Sequence, residues 1–102
     1  MPLQSTERYN FKESMWEVLP PMRHRRSGLA AAALTGSPGA SDQIYVLGGH
    51  NGHMVLNTVE MFDIDTKRWT SLPWVTQRRT EPTWAALDGW MYLCGGHDGH
   101  VA

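Results

Sequence analysis

The sequence predicts an all-β chain built from repeated four-stranded units. Three observations carry this: the chain repeats itself, each copy divides into short runs bounded by Gly, Pro and Asp turn signals, and no apolar run has the length of a stable helix. Glu7 to Pro20 (ERYNFKESMWEVLP) returns 53 residues later as Glu60 to Pro73 (EMFDIDTKRWTSLP), aligning Glu7 with Glu60, Tyr9 with Phe62, Trp16 with Trp69 and Pro20 with Pro73. Arg25-Arg26 returns as Arg78-Arg79, and Ala32-Ala33-Leu34 as Ala85-Ala86-Leu87, at the same offset. The offset then falls to 47, where Ile44 to His53 (IYVLGGHNGH) matches Met91 to His100 (MYLCGGHDGH). The lost residues fall within TGSPGASDQ, residues 35–43, whose Gly, Pro and Ser mark a surface loop that can change length at little cost.

Each element of the unit follows from local chemistry. Residues 28–34 (GLAAAAL) form the first strand. Alanine favours helix, but the mate TWAAL is confined between Pro82 and Asp88-Gly89, too short for a stable one, so both copies are read as strand. Residues 43–48 (QIYVLG) are β-branched and aromatic, and residues 57–64 (NTVEMFDI) alternate over most of their length. Residues 68–72 (RWTSL) are the fourth strand, stopped by Pro73. Asp65-Thr66-Lys67 and Asp88-Gly89 supply tight turns.

Composition narrows the function. Nine Lys+Arg against ten Asp+Glu give a net charge of −1, without the positive field that draws a protein to nucleic acid or an acidic membrane. The single cysteine, Cys94, makes no internal disulfide, which fits a reducing compartment, and cytoplasm is the expected location. The longest apolar run is far shorter than the roughly 20 residues of a membrane span, and the polar start has no signal-peptide core. Of the five Trp, Trp16 and Trp69 are one repeat position used twice, whereas Trp74, Trp84 and Trp90 have no mate.

A unit near 50 residues with a Gly-Gly pair closing the second strand and a Trp opening the fourth resembles the kelch repeat, whose copies are blades of a β-propeller. The resemblance runs from residue 7 to about residue 100. It rests on Gly48-Gly49 and Gly95-Gly96, Tyr45 and Tyr92, Trp16 and Trp69, and the Leu-Pro pairs at 19–20 and 72–73. These positions are read as scaffold: glycines for positive φ and close approach, aromatics for packing between radial sheets. The resemblance divides the chain into the outer strands of a first blade (1–24), a complete blade (25–77) and the inner strands of a following one (78–102). That is about two repeats' worth of an incomplete ring, since propellers close with about four to eight blades. With Met1 as a true start, no adaptor domain would precede the repeats.

Function is expected in the loops. Candidate partner contacts are Arg25, Arg26 and Ser27 with their echoes Arg78, Arg79 and Thr80, and His50 and Asn51 with their echoes His97 and Asp98. Arginines around one mouth would suit an acidic peptide, because the guanidinium recognises carboxylates bidentately. Arg26 and Arg79, in the same register in both copies, are the pair expected to contact acidic side chains of a partner, with a structural ion pair to a residue such as Glu60 or Glu7 as the competing reading; Arg25 and Arg78 are read as solvated. The His-x-x-His spacings, His50/His53 and His97/His100, lie in turn loops without a third ligand at metal spacing, so no metal and no cofactor are assigned. Cys94 stands where the first copy has Leu47 and is expected to be buried, not nucleophilic.

The resemblance therefore implies a non-catalytic protein-binding module: substrate recognition for a cullin-type ubiquitin ligase adaptor, or actin binding. The alternatives are part of a kelch-propeller enzyme, a metal-dependent oxidase or specifier type using these histidines, or a truncated fragment without independent function. Open blade edges also invite self-association.

Overall fold

The computed structural model describes residues 1–36 and 39–99. The chain is all-β over these residues, with eight antiparallel strands in three sheets. β1 (Thr6–Asn10) and β2 (Met15–Leu19) form a hairpin. β3 (Ala30–Leu34), β4 (Gln43–Leu47), β5 (Val59–Asp63) and β6 (Arg68–Leu72) form a four-stranded meander in that order. β7 (Thr83–Leu87) and β8 (Trp90–Cys94) form a second hairpin. Among the described residues, no helix is long and apolar enough to cross a membrane.

The strands are slightly shorter than the sequence suggests, because their ends are taken by turns. Gly28 and Gly48, expected inside strands, have φ of 65° and 68° and leave the ladder. The repeat is visible in the registers. Glu60 sits opposite Val46 on β4 and Ser71 on β6, while Glu7, its counterpart, has only Val18 on β2. Phe62 packs on Trp69 with centroids 5.0 Å apart, and Tyr9 on Trp16 at 5.2 Å.

The hairpin turns use one device twice. Asn10 Oδ1 accepts the Lys12 and Glu13 amides at 2.9 and 3.1 Å, and Asp63 Oδ1 accepts those of Asp65 and Thr66, both at 3.0 Å. The Thr66 amide and then the Ser41 hydroxyl hold the Asp63 carboxyl below its ordinary value, against a smaller opposing effect of desolvation. A carboxyl depressed on folding adds stability that is complete above its unfolded pKa and disappears as pH falls through the lower folded value. Melting temperature should therefore fall on acidification below the ordinary Asp value of 3.8, and Asp63→Asn, which keeps the acceptor as Asn10 does, should flatten that fall. An unchanged acid profile in the variant contradicts the assignment.

The core lies in the central sheet and its junction with the first hairpin: Leu47, Phe62, Val46, Val59 and Leu56 are buried together with Leu19 and Met22. The alanine-rich inner strand serves the junction with the second hairpin, where β3 lies directly against β7 and small side chains allow close approach. The two junctions are also stitched by polar bonds. Trp69 Nε1 donates to the Pro20 carbonyl at 2.8 Å on one side, and the Glu81 amide to the Gly28 carbonyl at 2.6 Å on the other.

Burial departs from expectation at both ends of the chain. Tyr45 is 8% exposed but its counterpart Tyr92 is 52%, and Trp16 is 65% exposed whereas Trp69 is half-buried. Cys94, expected to be buried like Leu47, is exposed. The cause is common: the hairpins lack the strands or neighbouring sheet that cover the same positions in and around the meander. Of the Trp residues without a mate, Trp74 and Trp90 are exposed, and Trp84 places its indole Nε1 in a buried position without a hydrogen-bond partner.

Candidate functional site

The two loop constellations of each repeat meet. The Ser27 amide donates to the His50 carbonyl at 3.0 Å and the His50 amide returns to the Ser27 carbonyl at 2.8 Å. Thr80 and His97 repeat this bridge at 2.8 and 2.9 Å. The segment entering each inner strand is thereby joined to the loop after each Gly-Gly pair, and these loops form a surface at the strand ends where Ala30 pairs with Leu47 and Thr83 with Cys94.

The glycines make this joint possible. A Cβ on Gly49, whose φ is 91°, would stand 2.6 Å from the Ser27 carbonyl oxygen, and one on Gly48 would strike the Arg79 carbonyl. Adjacent repeats are then locked as the Gly49 amide donates to the Arg79 carbonyl at 2.8 Å and the Arg79 amide to the Leu56 carbonyl at 2.9 Å. Gly96 has φ of 95° and faces Thr80 in the same way, but Gly95 faces open space.

Arg26 is not on this face, which corrects its reading as a partner contact. It is 3% exposed and pairs with Glu60, itself fully buried. Nε and Nη2 reach Glu60 Oε2 at 3.1 and 2.9 Å, Nη2 also reaches Thr58 Oγ1 at 2.9 Å, and Nη1 reaches the Gly48 and Thr58 carbonyls at 2.9 and 3.0 Å. Glu60 in turn accepts the Arg23 amide at 2.6 Å and the His24 amide at 3.3 Å. Two buried charges persist because every other polar atom around them is satisfied. Glu60, absent from the candidate residues, is thus the organising residue of the loop entering β3. Its signal was a lone carboxylate among Val59, Met61 and Phe62, recurring in register with Glu7 of the first copy.

The exposed residues are Arg25, Ser27 and Arg78, with His50, Asn51, His97 and Asp98 around them. Arg25 shares an open cleft of about 460 Å³ with Asn51, Gly52 and His53, and Arg78 shares one of about 400 Å³ with Gln77, Arg79, Gly95, Gly96, His97 and Asp98. Arg78 Nη1 donates to the Val55 carbonyl at 3.1 Å, which steadies its stem across the repeat boundary. The histidines act within their loops: Nδ1 of His50 accepts the Gly52 amide at 2.8 Å and Nδ1 of His97 the Gly99 amide at 2.9 Å. Asn51 Oδ1 accepts the His53 and Met54 amides at 2.8 and 2.9 Å. His100 lies outside the described residues.

Comparison with known proteins agrees with this geometry. The Kelch motif family matches residues 25–73, from the paired arginines to the Pro after β6. An influenza virus NS1A-binding protein homolog of Xenopus laevis is 34% identical over 89 residues, 87% of this chain and 13% of that protein. The F-box/kelch-repeat protein OR23 of Arabidopsis thaliana is 37% identical over 76 residues, 68% of this chain and 16% of that protein. Human Kelch-like protein 4 is 36% identical over 63 residues, 62% of this chain and 8% of that protein. The chain thus spans less than a fifth of each of these relatives. With the Gly-Gly joints, the four-stranded meander and the family match in agreement, the chain belongs to the kelch-repeat family.

Proposed function

We propose that the chain is a non-catalytic protein-binding module whose loop face, centred on Arg25 and Arg78, takes an acidic segment of a partner. The observation that carries this reading is the division of labour within each arginine pair: Arg26 is buried against Glu60, whereas Arg25 and Arg78 stand exposed beside clefts lined by loop amides and polar side chains. An exposed guanidinium beside such a cleft suits a carboxylate. Asn51, His97 and Asp98 line the same openings, Ser27 and Thr80 are bridged to His50 and His97 beside them, and all are assigned to orientation of the bound segment. Substrate recognition for a cullin-type ubiquitin ligase and attachment to actin are the roles the kelch resemblance implies. A cytoplasmic setting accords with the lone, exposed Cys94. The unpaired edges of β1 and β8 form a second kind of surface, suited to self-association.

The test is a fluorescence titration of the chain with a labelled glutamate-rich peptide, at low and at physiological salt. Arg25→Glu/Arg78→Glu should weaken binding about tenfold or more and abolish its salt dependence, with an unchanged far-UV spectrum. Binding retained in the double variant overturns the assignment.

A further inference from the structure

The complete blade covers most of its large apolar side chains. Among the described residues of 25–77, the large apolar ones left exposed are Ile44, Met54 and Trp74, at 36%, 49% and 75%. Ile44 lines the cleft toward the first hairpin, but Met54 and Trp74 both belong to the surroundings of Arg78. β6 leaves the sheet at the end where Leu72, Val59, Leu47 and Ala30 stand in one row, the end that carries the loops after the Gly-Gly pairs. The chain then crosses to β7 along the loop that precedes β5: the Val75 amide donates to the Asn57 carbonyl at 3.1 Å and the Arg79 amide to the Leu56 carbonyl at 2.9 Å. Arg78 Nη1 donates to Met54 Sδ at 3.4 Å, besides the Val55 carbonyl. Trp74 stands four residues before Arg78, so their Cα atoms are at most about 14 Å apart.

The exposure of Trp74 belongs to its repeat position. Its counterpart at the preceding junction is Pro21, which is exposed although the blade that follows it has all four strands and brings Trp69 Nε1 to 2.8 Å from the Pro20 carbonyl. A complete neighbour therefore leaves this rim open. A single exposed apolar residue is ordinary, but two of them flanking an exposed guanidinium make an amphipathic site.

We infer that the Arg78 site takes a segment in which a bulky apolar side chain lies within about four residues of the acidic one, and that Trp74, assisted by Met54, selects it. An extended segment advances about 3.3 Å per residue, which matches that spacing to the reach between Trp74 and Arg78. An exposed arginine-carboxylate pair gains little alone, because water and salt screen it. Apolar area removed from water contributes in proportion to its size, and an indole offers a broad, rigid face. Arg78 thus fixes where the segment lies, and Trp74 supplies most of its affinity. The flexible thioether of Met54 adapts to the shape of the apolar group. Pro21 stands where an indole would serve Arg25, so the preference belongs to the Arg78 site.

The preference for an apolar neighbour rests on the acidic-segment reading of this face and refines it. Two labelled peptides of equal charge separate the two: one carries paired glutamates and a phenylalanine about three residues on, the other serine in place of the phenylalanine. The chain should bind the phenylalanine peptide about tenfold or more tighter at physiological salt. Trp74→Ser should bring the two affinities to within a factor of about two, and Met54→Ser should lower their ratio by less. Trp74 is exposed, so its variant should keep the far-UV spectrum and melting temperature. Arg78→Glu should weaken both peptides alike and preserve the ratio. Equal affinities in the wild-type chain, or a ratio that survives Trp74→Ser, overturn the inference, while a loss of both peptides with Arg78→Glu keeps the acidic reading. A ratio removed by Trp74→Ser, with both peptides indifferent to charge reversal at Arg25 and Arg78, overturns the acidic reading and keeps the indole contact. Binding of neither peptide overturns both.

Discussion

Replacing Glu60 by alanine is expected to destabilise the chain by about 3–5 kcal/mol, the range for breaking one side of a buried ion pair. The loss comes from what is left behind: the Arg26 guanidinium loses two of its bonds, and the Arg23 and His24 amides lose their acceptor. Against a total stability of about 5–15 kcal/mol for a small domain, that is enough to unfold a large part of the population. Arg26→Ala should cost a similar amount. The apolar double variant Arg26→Met/Glu60→Leu should recover part of the stability, because no charge is then stranded in the interior, although the Arg23 and His24 amides remain unpaired. Glu7→Ala, the same repeat position without its arginine, should change the monomer by less than about 0.5 kcal/mol. Urea unfolding monitored by tryptophan fluorescence measures all four. A loss below about 1 kcal/mol for Glu60→Ala contradicts the role given to the pair.

Gly49→Ala carries the second large effect, about 3 kcal/mol or more. The left-handed conformation alone costs about 1–2 kcal/mol in a residue with a side chain. The added Cβ also meets the Ser27 carbonyl at 2.6 Å, backbone that cannot move without breaking the bridge to His50. Gly48→Ala should be comparably severe, since its obstacle is the Arg79 carbonyl, which accepts the Gly49 amide. Gly89→Ala, with φ of 81° and nothing within 4 Å, isolates the conformational cost and should lose only about 1–2 kcal/mol. Gly95→Ala should resemble Gly89→Ala in the monomer despite its kinship with Gly48, because its surroundings are open. Thermal melts at low protein concentration rank the four. Equal losses at Gly48, Gly49 and Gly89 would show that close approach plays no part.

What could be read in the sequence was whatever local chemistry determines. The strands, the turns at Asp65-Thr66-Lys67 and Asp88-Gly89 and the Gly-Gly joints follow from residue type and spacing, and the repeat supported the strands and the Gly-Gly pairs twice. The capping of the hairpin turns by Asn10 and Asp63 was visible only in the structure. What could not be read was burial, which depends on which neighbours are present. Tyr45 and Tyr92 have the same identity and the same register, but only Tyr45 has β5 beside its strand. Arg26 and Arg79 differ for the same reason, which is why Arg26 had to be moved from the surface to the interior. The residues around Arg25 and Arg78 stayed legible as a group, since the bridges from Ser27 to His50 and from Thr80 to His97 are consequences of the Gly-Gly pairs. Their chemistry toward a partner comes from exposure, which no spacing encodes.

The most direct measurement is amide hydrogen exchange resolved by residue, at a concentration where the chain is monomeric. One complete blade between two half blades requires the slowest exchange in β4 and β5, which alone are paired on both sides, with β1, β2, β7 and β8 exchanging faster by sub-global opening. Protection spread evenly over all eight strands, or strongest in either hairpin, would contradict it.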